Sequence, residues 1–401
     1  MTDNKTKSNH SRAQMIGIVV AAVIAIAGIA LWIFQLSAGM VNTNMRNLDS
    51  WGLYIIMFML FVGLSAGGLI ISSIPRVFGI KGFANISKVA IWTSICCTVL
   101  AVCFVVVDLG GPARLWHLFA YANMTSPLMW DIVVLSVYLI ISIIYLWATI
   151  RSEKGKTSKA AMRLLSVIAL VCAILVHTVT AWIFGLQSAH EFWYTSLLGP
   201  WFVTSALLSG LALVLLVVFV LNKTKYLNLE GSKISLLAKL LGVFTAVDLY
   251  FFACDLLTLG FPGGGGEEVV FMLTSGPLAP FFWSEMILGV ITMIIAFVPK
   301  LRTIPFISVA AACAILGVFF KRIQLLIGGF QIENIPWPTV TTGPAINGAE
   351  YAVLPSPDVL IYNPSFLEIG IVVGVIALGA CILLLGIRHL PLKPAPAEAA
   401  E

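Results

Sequence analysis

Long apolar runs constrain the fold of this chain more than any other feature. A bilayer core needs about 20 apolar residues per helix, and windows of that length occur near 14–35, 52–74, 88–108, 128–149, 161–184, 199–221, 237–259, 280–298, 304–328 and 365–387. The runs are continuous rather than alternating, which favours helices over a barrel. Only 10% of the residues are charged, too few to cover a soluble globule. The sequence therefore predicts an all-α integral membrane protein with ten spans. It excludes soluble enzymes, nucleic-acid binders and disordered chains.

Lysine and arginine fall mainly on one side of these spans, which holds 19 of the 23. The four on the other side are Arg46, Arg114, Lys321 and Arg322. Basic residues mark the cytoplasmic side, so we expect both termini in the cytoplasm. A single transmembrane domain is expected at 14–390, between cytoplasmic tails at 1–13 and 391–401. Residues 1–13 and 394–401 are predicted to be disordered. The first run is longer than the core of a signal peptide, which predicts an uncleaved anchor.

The connections on the outer side are longer than those on the basic side. They are 36–51, 109–127, 185–198, 260–279 and 329–364, and they are rich in Gly, Pro and aromatic residues. Long loops are usually functional or disordered. Because these contain aromatic residues, we expect ordered loops that dock a partner.

An internal repeat relates residues of about 52–187 to about 199–331. In each copy a helix ends in an acid, a Gly/Pro loop follows, and the next helix begins with Pro, Trp and an acid. These residues are Asp108, Pro127, Trp130 and Asp131 in the first copy and Asp255, Pro280, Trp283 and Glu285 in the second. This pattern predicts two four-helix bundles, formed by spans 2–5 and 6–9. Spans 1 and 10 would be peripheral helices.

Ionisable side chains lie in or beside the spans, mostly toward the outer ends. They are Asp108, Asp131, His177, Asp248, Asp255, Glu285, Lys321, Arg322 and Glu368. A charge at the bilayer centre costs about 2.5–3.5 kcal/mol on insertion scales, so each such group needs a partner or a function.

Structural roles are open for several of these groups. Asp131 and Glu285 lie in first helical turns, where a carboxylate complements the helix dipole. Asp108 could clamp Arg114, and His177 could satisfy a polar contact between helices. The adjacent basic pair near the outer face could extend to the headgroups.

A quinol site is the functional interpretation of the same groups. A quinol loses two electrons and two protons, so its site needs an apolar slot and a proton acceptor. The residues expected at the reacting oxygens are Asp108, Arg114 and Asp131. The expected ring-binding residues are Tyr54, Gly63, Ser65, Gly67, His117, Trp130 and His177. The small residues would let a ring or another helix approach closely. The second copy offers a candidate proton route, or a relic, in Asp248, Asp255, Glu285, Lys321 and Arg322.

Metal cofactors are not expected in this chain. Of the five histidines only His177 lies deep in a span, and a C-x-x-C-H motif for covalent haem is absent. The seven cysteines fall in apolar runs without C-x-x-C spacing, which predicts buried small hydrophobes and no disulfide. If the chain carries electrons, quinone is then the remaining carrier, and the next carrier must belong to a partner.

The stretch from Trp51 to Asp131 resembles the NrfD/PsrC family, the polysulfide reductase-type membrane subunits. The matching segments are the Gly-rich 63–68, the turn Asp108-Leu109-Gly110-Gly111-Pro112-Ala113-Arg114, and Ser126-Pro127 with Trp130. The segment Tyr362-Asn363-Pro364-Ser365 before Glu368 is similar to the ending of ten-span members.

The resemblance covers about residues 50–390. It implies a haem-free anchor that binds menaquinone or ubiquinone. The implied partners are a four-cluster ferredoxin-like iron–sulfur subunit and a molybdopterin subunit that performs the terminal reduction.

These observations are compatible with three functions. The first is a quinol-oxidising membrane subunit of a respiratory oxidoreductase, with its site near the outer face. The second is a secondary transporter or ion-translocating subunit, although the Gly/Pro breaks lie at the outer ends rather than at the midplane where transporter sites lie. The third is a structural anchor without a quinone site.

Overall fold

The computed structural model describes residues 2–45, 49–79, 83–190, 192–224, 226–227, 229–262, 266–331 and 362–393. This part of the chain is helical and contains no strand. Its helices are α1 (Thr2–Ala38), α2 (Leu53–Phe78), α3 (Ala84–Asp108), α4 (His117–Ala120), α5 (Pro127–Glu153), α6 (Lys159–Gly185), α7 (Leu198–Lys223), α8 (Gly231–Leu259), α9 (Glu267–Thr274), α10 (Ala279–Phe297), α11 (Ile304–Gln331) and α12 (Phe366–His389).

Ten of the described helices are long and apolar enough to cross a membrane. They are all except the short α4 and α9, which lie in outer connections. The predicted all-α membrane fold with ten spans is therefore confirmed, and the chain is a multi-pass integral membrane protein. We call the end where α3 ends and α5 begins the outer end. Its assignment to a side of the cell stays a prediction.

Several helices extend beyond their predicted apolar runs. The first helix begins at Thr2, where the sequence analysis predicted a disordered tail, and α5 continues through Arg151 to Glu153. A helix satisfies its own backbone hydrogen bonds, so it can continue into the polar boundary that the hydropathy pattern marks as its end. The predicted tail at 394–401 and most of the predicted ordered loop at 329–364 lie outside the described residues.

The spans differ greatly in burial. In the most apolar stretch of each helix, 89% of the residues of α2 are buried, against 17% in α1. Helix α2 packs against α3, α6 and α7, whereas α1 packs mainly against α12. Helix α7 also contacts α8 and α11, and α10 packs between α8 and α11. The α2–α7 contact joins the two copies of the repeat, and their division into two separate bundles stays a prediction.

Glycine allows two close helix crossings. A Cβ added at Gly67 would lie 2.1 Å from the carbonyl carbon of Gly210 in α7. At the α1–α12 crossing, a Cβ on Gly28 would lie 2.4 Å from Gly374 Cα. Backbones approach this closely only where side chains are absent, so these glycines set the spacing of their helices.

The cysteines are less uniformly buried than the sequence analysis predicted. Cys96 and Cys97 are buried, and the other five are half-buried. No disulfide joins any of them within the described residues.

Candidate functional site

The residues expected at the reacting oxygens of a quinol lie in different surroundings. Asp108 ends α3 with its Oδ1 buried and without a hydrogen-bond partner among the described residues. Asp131 is buried in α5, where the Thr180 hydroxyl donates to its Oδ1 across 2.5 Å. Arg114 is exposed in the outer connection. Within the described residues no hydrogen bond or ion pair joins any two of these three, so they do not form one constellation.

Tyr54 belongs to a cluster that the sequence analysis did not assemble. Its hydroxyl donates to Gln35 Oε1 of α1 across 2.5 Å, and it is close enough to Asp108 and Glu368 for electrostatic interaction. Glu368 completes a capping box with Ser365 at the start of α12. This group of buried polar residues joins the outer ends of α1, α2, α3 and α12.

Tyr362 connects that cluster to α2. It donates a hydrogen bond to Glu368 and accepts one from the Leu53 backbone N–H across 2.9 Å. Burial and the hydrogen bond to Glu368 raise the pKa of Tyr362 above its usual value. The hydroxyl therefore stays protonated, and it fixes the start of α2 to the start of α12.

The small residues of α2 serve a helix contact. Gly67 meets Gly210 of α7, and Gly63 lies near Ser209 of the same helix. The Ser65 hydroxyl bonds to the Val62 carbonyl in its own helix. Close approach of another helix is therefore observed at these positions, and their role in binding a ring stays a prediction.

The other two ring-binding candidates on the outer side lie near the surface. His117 is exposed and stacks edge-on with Trp116 at 4.0 Å. Trp130 donates to the Met124 carbonyl across 2.6 Å. The repeat-related Trp283 donates to the Thr274 carbonyl across 3.0 Å. Each of the two indole N–H groups therefore bonds to a backbone carbonyl in the segment that precedes its own helix.

A cleft of about 470 Å³, counted with its open mouth, lies in the second copy of the repeat. It is formed by α7, α8, α9, α11 and the connection between α6 and α7. Its walls are mainly apolar and aromatic, and its lining residues are Phe192, Thr195, Leu198, Trp201, Phe202, Phe252, Asp255, Leu259, Leu273, Lys321, Arg322, Gln324 and Leu325. An apolar slot with a few converging polar groups is the usual form of a small-molecule site.

Two buried cations border the inner part of this cleft. The Lys321 ammonium donates to Asp248 across 2.7 Å and lies 3.7 Å from the centre of the Trp201 ring. The Arg322 guanidinium donates to Ser205 across 3.1 Å and lies over the Phe202 ring at 3.8 Å. Neither cation reaches the headgroup region, because both are almost fully buried. The suggestion that they extend to the headgroups is therefore wrong.

Side chains that line the cleft leave buried polar atoms without partners among the described residues. They are Arg322 Nε and Nη1, Trp201 Nε1 and Gln324 Oε1. Gln324 uses its other polar atom to donate to Glu285 across 2.8 Å. A buried polar atom without a partner costs about 1–3 kcal/mol, and native structures contain few. Three donor atoms and one acceptor on the side chains that line one cleft are therefore candidate groups for binding a polar ligand.

The remaining acids surround the same region. Asp255 lines the outer part of the cleft beside Thr195. Asp248 and Glu285 line a second cavity of about 260 Å³ that lies deeper, between α7, α8, α10 and α11. His177 is buried in α6, and it is close enough to Arg322 for electrostatic interaction. All five residues named as a candidate proton route thus lie at the cleft or at this deeper cavity.

Sequence reasoning missed the partners that complete the cleft. Gln324 lies one helical turn after Lys321, and Trp201 and Phe202 lie in the first turns of α7. The repeat offered a signal, because aligning the end of the fifth span at 184–187 with the end of the ninth at 328–331 also pairs Thr180 with Gln324. Both of these residues donate to a carboxylate on the preceding span.

Comparison with known proteins adds to this geometry. The family described as "Polysulphide reductase, NrfD" matches residues 41–334. A candidate membrane subunit of dimethyl sulfoxide reductase from Halobacterium salinarum is 33% identical over 95% of this chain and 92% of its own. A selenate reductase subunit from Mesobacillus selenatarsenatis is 28% identical, covering 92% and 91%. The Hdr-like menaquinol oxidoreductase integral membrane subunit from Archaeoglobus fulgidus is 27% identical, covering 94% and 93%.

Proposed function

Because the chain belongs to the NrfD polysulfide reductase family, we propose that it is a quinol-binding membrane subunit of a respiratory oxidoreductase. It would oxidise menaquinol or ubiquinol near the outer face of a bacterial or archaeal cytoplasmic membrane, with both termini in the cytoplasm. A four-cluster ferredoxin-like subunit would take the electrons, and a molybdopterin subunit would perform the terminal reaction. One of its relatives is named a menaquinol oxidoreductase subunit, and two are named reductase subunits.

The cleft is the observation that best supports this proposal. Its aromatic and aliphatic walls suit an isoprenoid-substituted ring, and its unpartnered polar atoms suit ring oxygens. Arg322 and Trp201 are donors for a quinone oxygen, whereas Gln324 Oε1 is an acceptor for a quinol hydroxyl. The site therefore contains hydrogen-bonding groups for both oxidation states.

Different residues of the chain would position the ring, accept protons and supply charge during the reaction. A bound quinol supplies two electrons and two protons. Arg322, held by Ser205 and Phe202, fixes the position of one ring oxygen. Asp255 lies at the outer part of the cleft and is half-buried, so its carboxylate can accept the two protons in turn and release each to the outer side. Lys321, paired with Asp248, keeps positive charge at the inner part of the cleft.

Quinone binding by the full-length chain tests the proposal. Purified protein is titrated with tritiated short-chain menaquinone and, separately, with short-chain ubiquinone. Arg322→Gln removes a charged donor, so we expect affinity to fall at least about tenfold. Trp201→Phe removes one neutral donor and should have a smaller effect. The control Arg388→Gln removes the same charge from an exposed position at the inner end of α12. Equal affinity of the two arginine variants would contradict the proposed site.

Secondary transport is the second candidate. It is favoured by the position of the Lys321–Asp248 pair, since Lys321 lines the outer cleft and Asp248 lines the deeper cavity. Uptake of a charged solute into liposomes that contain only this chain would support it. Quinone binding without any solute uptake would leave the oxidoreductase role as the supported function.

A further inference from the structure

Glu285 is a buried acid that the proposed reaction in the cleft does not use. It lies on α10, is 3% exposed, and lines the deeper cavity but not the cleft. Its carboxylate accepts a hydrogen bond from the Gln324 amide nitrogen of α11 across 2.8 Å. Because Gln324 does line the cleft, this hydrogen bond connects an acid outside the cleft to a side chain in its wall.

The hydrogen bond fixes which end of the amide faces Glu285. An ionised carboxylate only accepts hydrogen bonds, whereas a primary amide has a nitrogen that donates and an oxygen that accepts. If the Gln324 amide turned over, its oxygen would meet the carboxylate oxygen, and two acceptors would face each other. The nitrogen is therefore directed toward Glu285, and Oε1 points away from it. This Oε1 is buried and has no hydrogen-bond partner among the described residues.

Gln324 Oε1 differs in kind from the other unpartnered atoms on the side chains of the cleft. Those atoms, Arg322 Nε and Nη1 and Trp201 Nε1, are donors. A donor can bond to an oxygen of a quinol or of a quinone, because both oxygens have lone pairs. An acceptor can bond to the hydroxyl of a quinol but not to the carbonyl oxygen of a quinone. Among these four atoms, Gln324 Oε1 is thus the one that distinguishes the two oxidation states.

The pair that the predicted repeat places opposite, Thr180 and Asp131, shows what a contact between two such spans requires. The Thr180 hydroxyl donates to Asp131 across 2.5 Å and also lies 2.8 Å from the Val176 carbonyl oxygen of its own helix. The one polar atom of this side chain is thus satisfied. A hydroxyl is therefore enough to join the two spans, and the longer amide of Gln324 adds a second polar atom at the cleft.

The buried cations do not account for the position of Glu285. Lys321 already donates to Asp248 across 2.7 Å. Glu285 is close enough to Lys321 and Arg322 for electrostatic interaction, but the direct hydrogen-bond partner of its carboxylate among the described residues is Gln324. The contact that Glu285 makes is therefore the one that orients the amide.

We propose that Glu285 is a positioning residue, which holds the Gln324 amide so that Oε1 accepts from a quinol hydroxyl, and that the cleft therefore binds the reduced ring in preference to the oxidised ring. The inference rests on the proposed quinol site and assigns its preference for one oxidation state to a residue that does not line the cleft. Asp255 would still take the protons, because the amide neither gains nor loses a proton when it accepts a hydrogen bond. A preference for the reduced ring also favours release of the oxidised product.

Binding of the two oxidation states by the purified full-length chain tests this role. Tritiated short-chain menaquinone is titrated anaerobically in its oxidised form and in its chemically reduced form, and the ratio of the two affinities is compared. In Glu285→Gln the new side chain offers both a donor and an acceptor, so the Gln324 amide can face it either way round. We expect the preference for the reduced ring to fall about fivefold. The control Glu267→Gln makes the same change at an exposed acid outside the cleft and should leave the ratio unchanged.

A second variant shows whether the effect passes through the amide. Gln324→Met keeps the length of the side chain and removes both polar atoms, so it should lower the preference by a similar factor. Because Glu285 acts through the amide, adding Glu285→Gln to Gln324→Met should change the ratio by less than about twofold. Additive effects of the two changes would show that Glu285 influences the ring by another route and would overturn the proposal.

The outcomes separate this inference from the proposed function. If the native chain binds neither form of the ring, the quinol site fails and the inference fails with it. If Arg322→Gln weakens binding but the affinity ratio is the same in the native chain and in Glu285→Gln, the quinol site stands and the role of Glu285 is overturned. Tighter binding of the oxidised ring by the native chain would also overturn it. If Glu285→Gln does not fold, Glu285→Asp keeps the charge and withdraws the carboxylate from Gln324, and an unchanged ratio in that variant would contradict the proposal.

Discussion

Lys321 Nζ lies 2.7 Å from Asp248 Oδ1, and this buried ion pair stands between the outer cleft and the deeper cavity. Asp248→Asn would leave the buried ammonium without the carboxylate to which it donates a hydrogen bond. We expect a loss of stability of about 3–5 kcal/mol, measured as thermal unfolding of the purified chain in detergent. The double variant Asp248→Asn with Lys321→Met should recover most of the loss. A double variant no more stable than Asp248→Asn would show that the pair is not the source of the effect.

Asp255 is the expected proton acceptor of the cleft. Asp255→Asn keeps the size of the side chain and removes its basicity, so we expect kcat for quinol oxidation to fall about 10²-fold with little change in KM. The measurement is steady-state quinol oxidation by the complex. The control Glu267→Gln alters an acid at the start of α9 that does not line the cleft. A rise in KM at unchanged kcat would assign Asp255 to binding instead.

Gly329 of α11 packs against the connection between α6 and α7, which lines part of the cleft. A Cβ there would lie 1.9 Å from the Trp193 ring, whose Nε1 donates to the Leu325 carbonyl across 2.7 Å. Gly329→Ala should therefore cost about 1–3 kcal/mol and weaken quinone binding, because Phe192 of the same connection lines the cleft. Gly231→Ala, which has open space around it, is the control. Equal unfolding temperatures of the two variants would contradict this role.

Tyr362 gives the stability a pH dependence. Because its pKa in the folded chain is raised above the ordinary value of about 10, its contribution is present below that value and is lost as pH rises above it. The thermal stability of the native chain should thus begin to fall near pH 10, roughly that ordinary value, and should keep falling as the pH rises further toward the raised pKa of the folded chain. Tyr362→Phe should be less stable at neutral pH by about 1–3 kcal/mol and should lose less over the same window. Parallel pH curves for the two proteins would exclude this assignment.

The positions of the spans follow from the sequence because each apolar run needs only the bilayer to specify it. The partners of the buried charges do not follow in the same way. Lys321 and Asp248 are 73 residues apart, and only packing of α8 against α11 brings them together. Asp108 and Arg114 are close in the sequence, yet they lie in different surroundings because α3 ends between them.

One type of contact recurs at corresponding positions of the predicted repeat. In each copy a side chain on one span donates a hydrogen bond to a carboxylate on the preceding span. The Thr180 hydroxyl donates to Asp131, and the Gln324 amide donates to Glu285. Because the family turn lies at residues 108–114, the sequence-based prediction placed the quinol site in the first copy. The cleft lies in the second copy because Trp201, Phe202 and Phe252 open an apolar slot there, and no local motif predicts that packing.

Photolabelling with an azido-quinone, followed by peptide mapping, tests the central claim most directly. If the ring occupies the cleft, the label will be found in α7 around Trp201 and in α11 around Arg322, and excess unlabelled quinone will prevent it. Arg322→Gln will reduce the labelling, whereas Arg388→Gln will not. Labelling confined to residues 108–131 would contradict this account and return the quinone site to the first copy of the repeat.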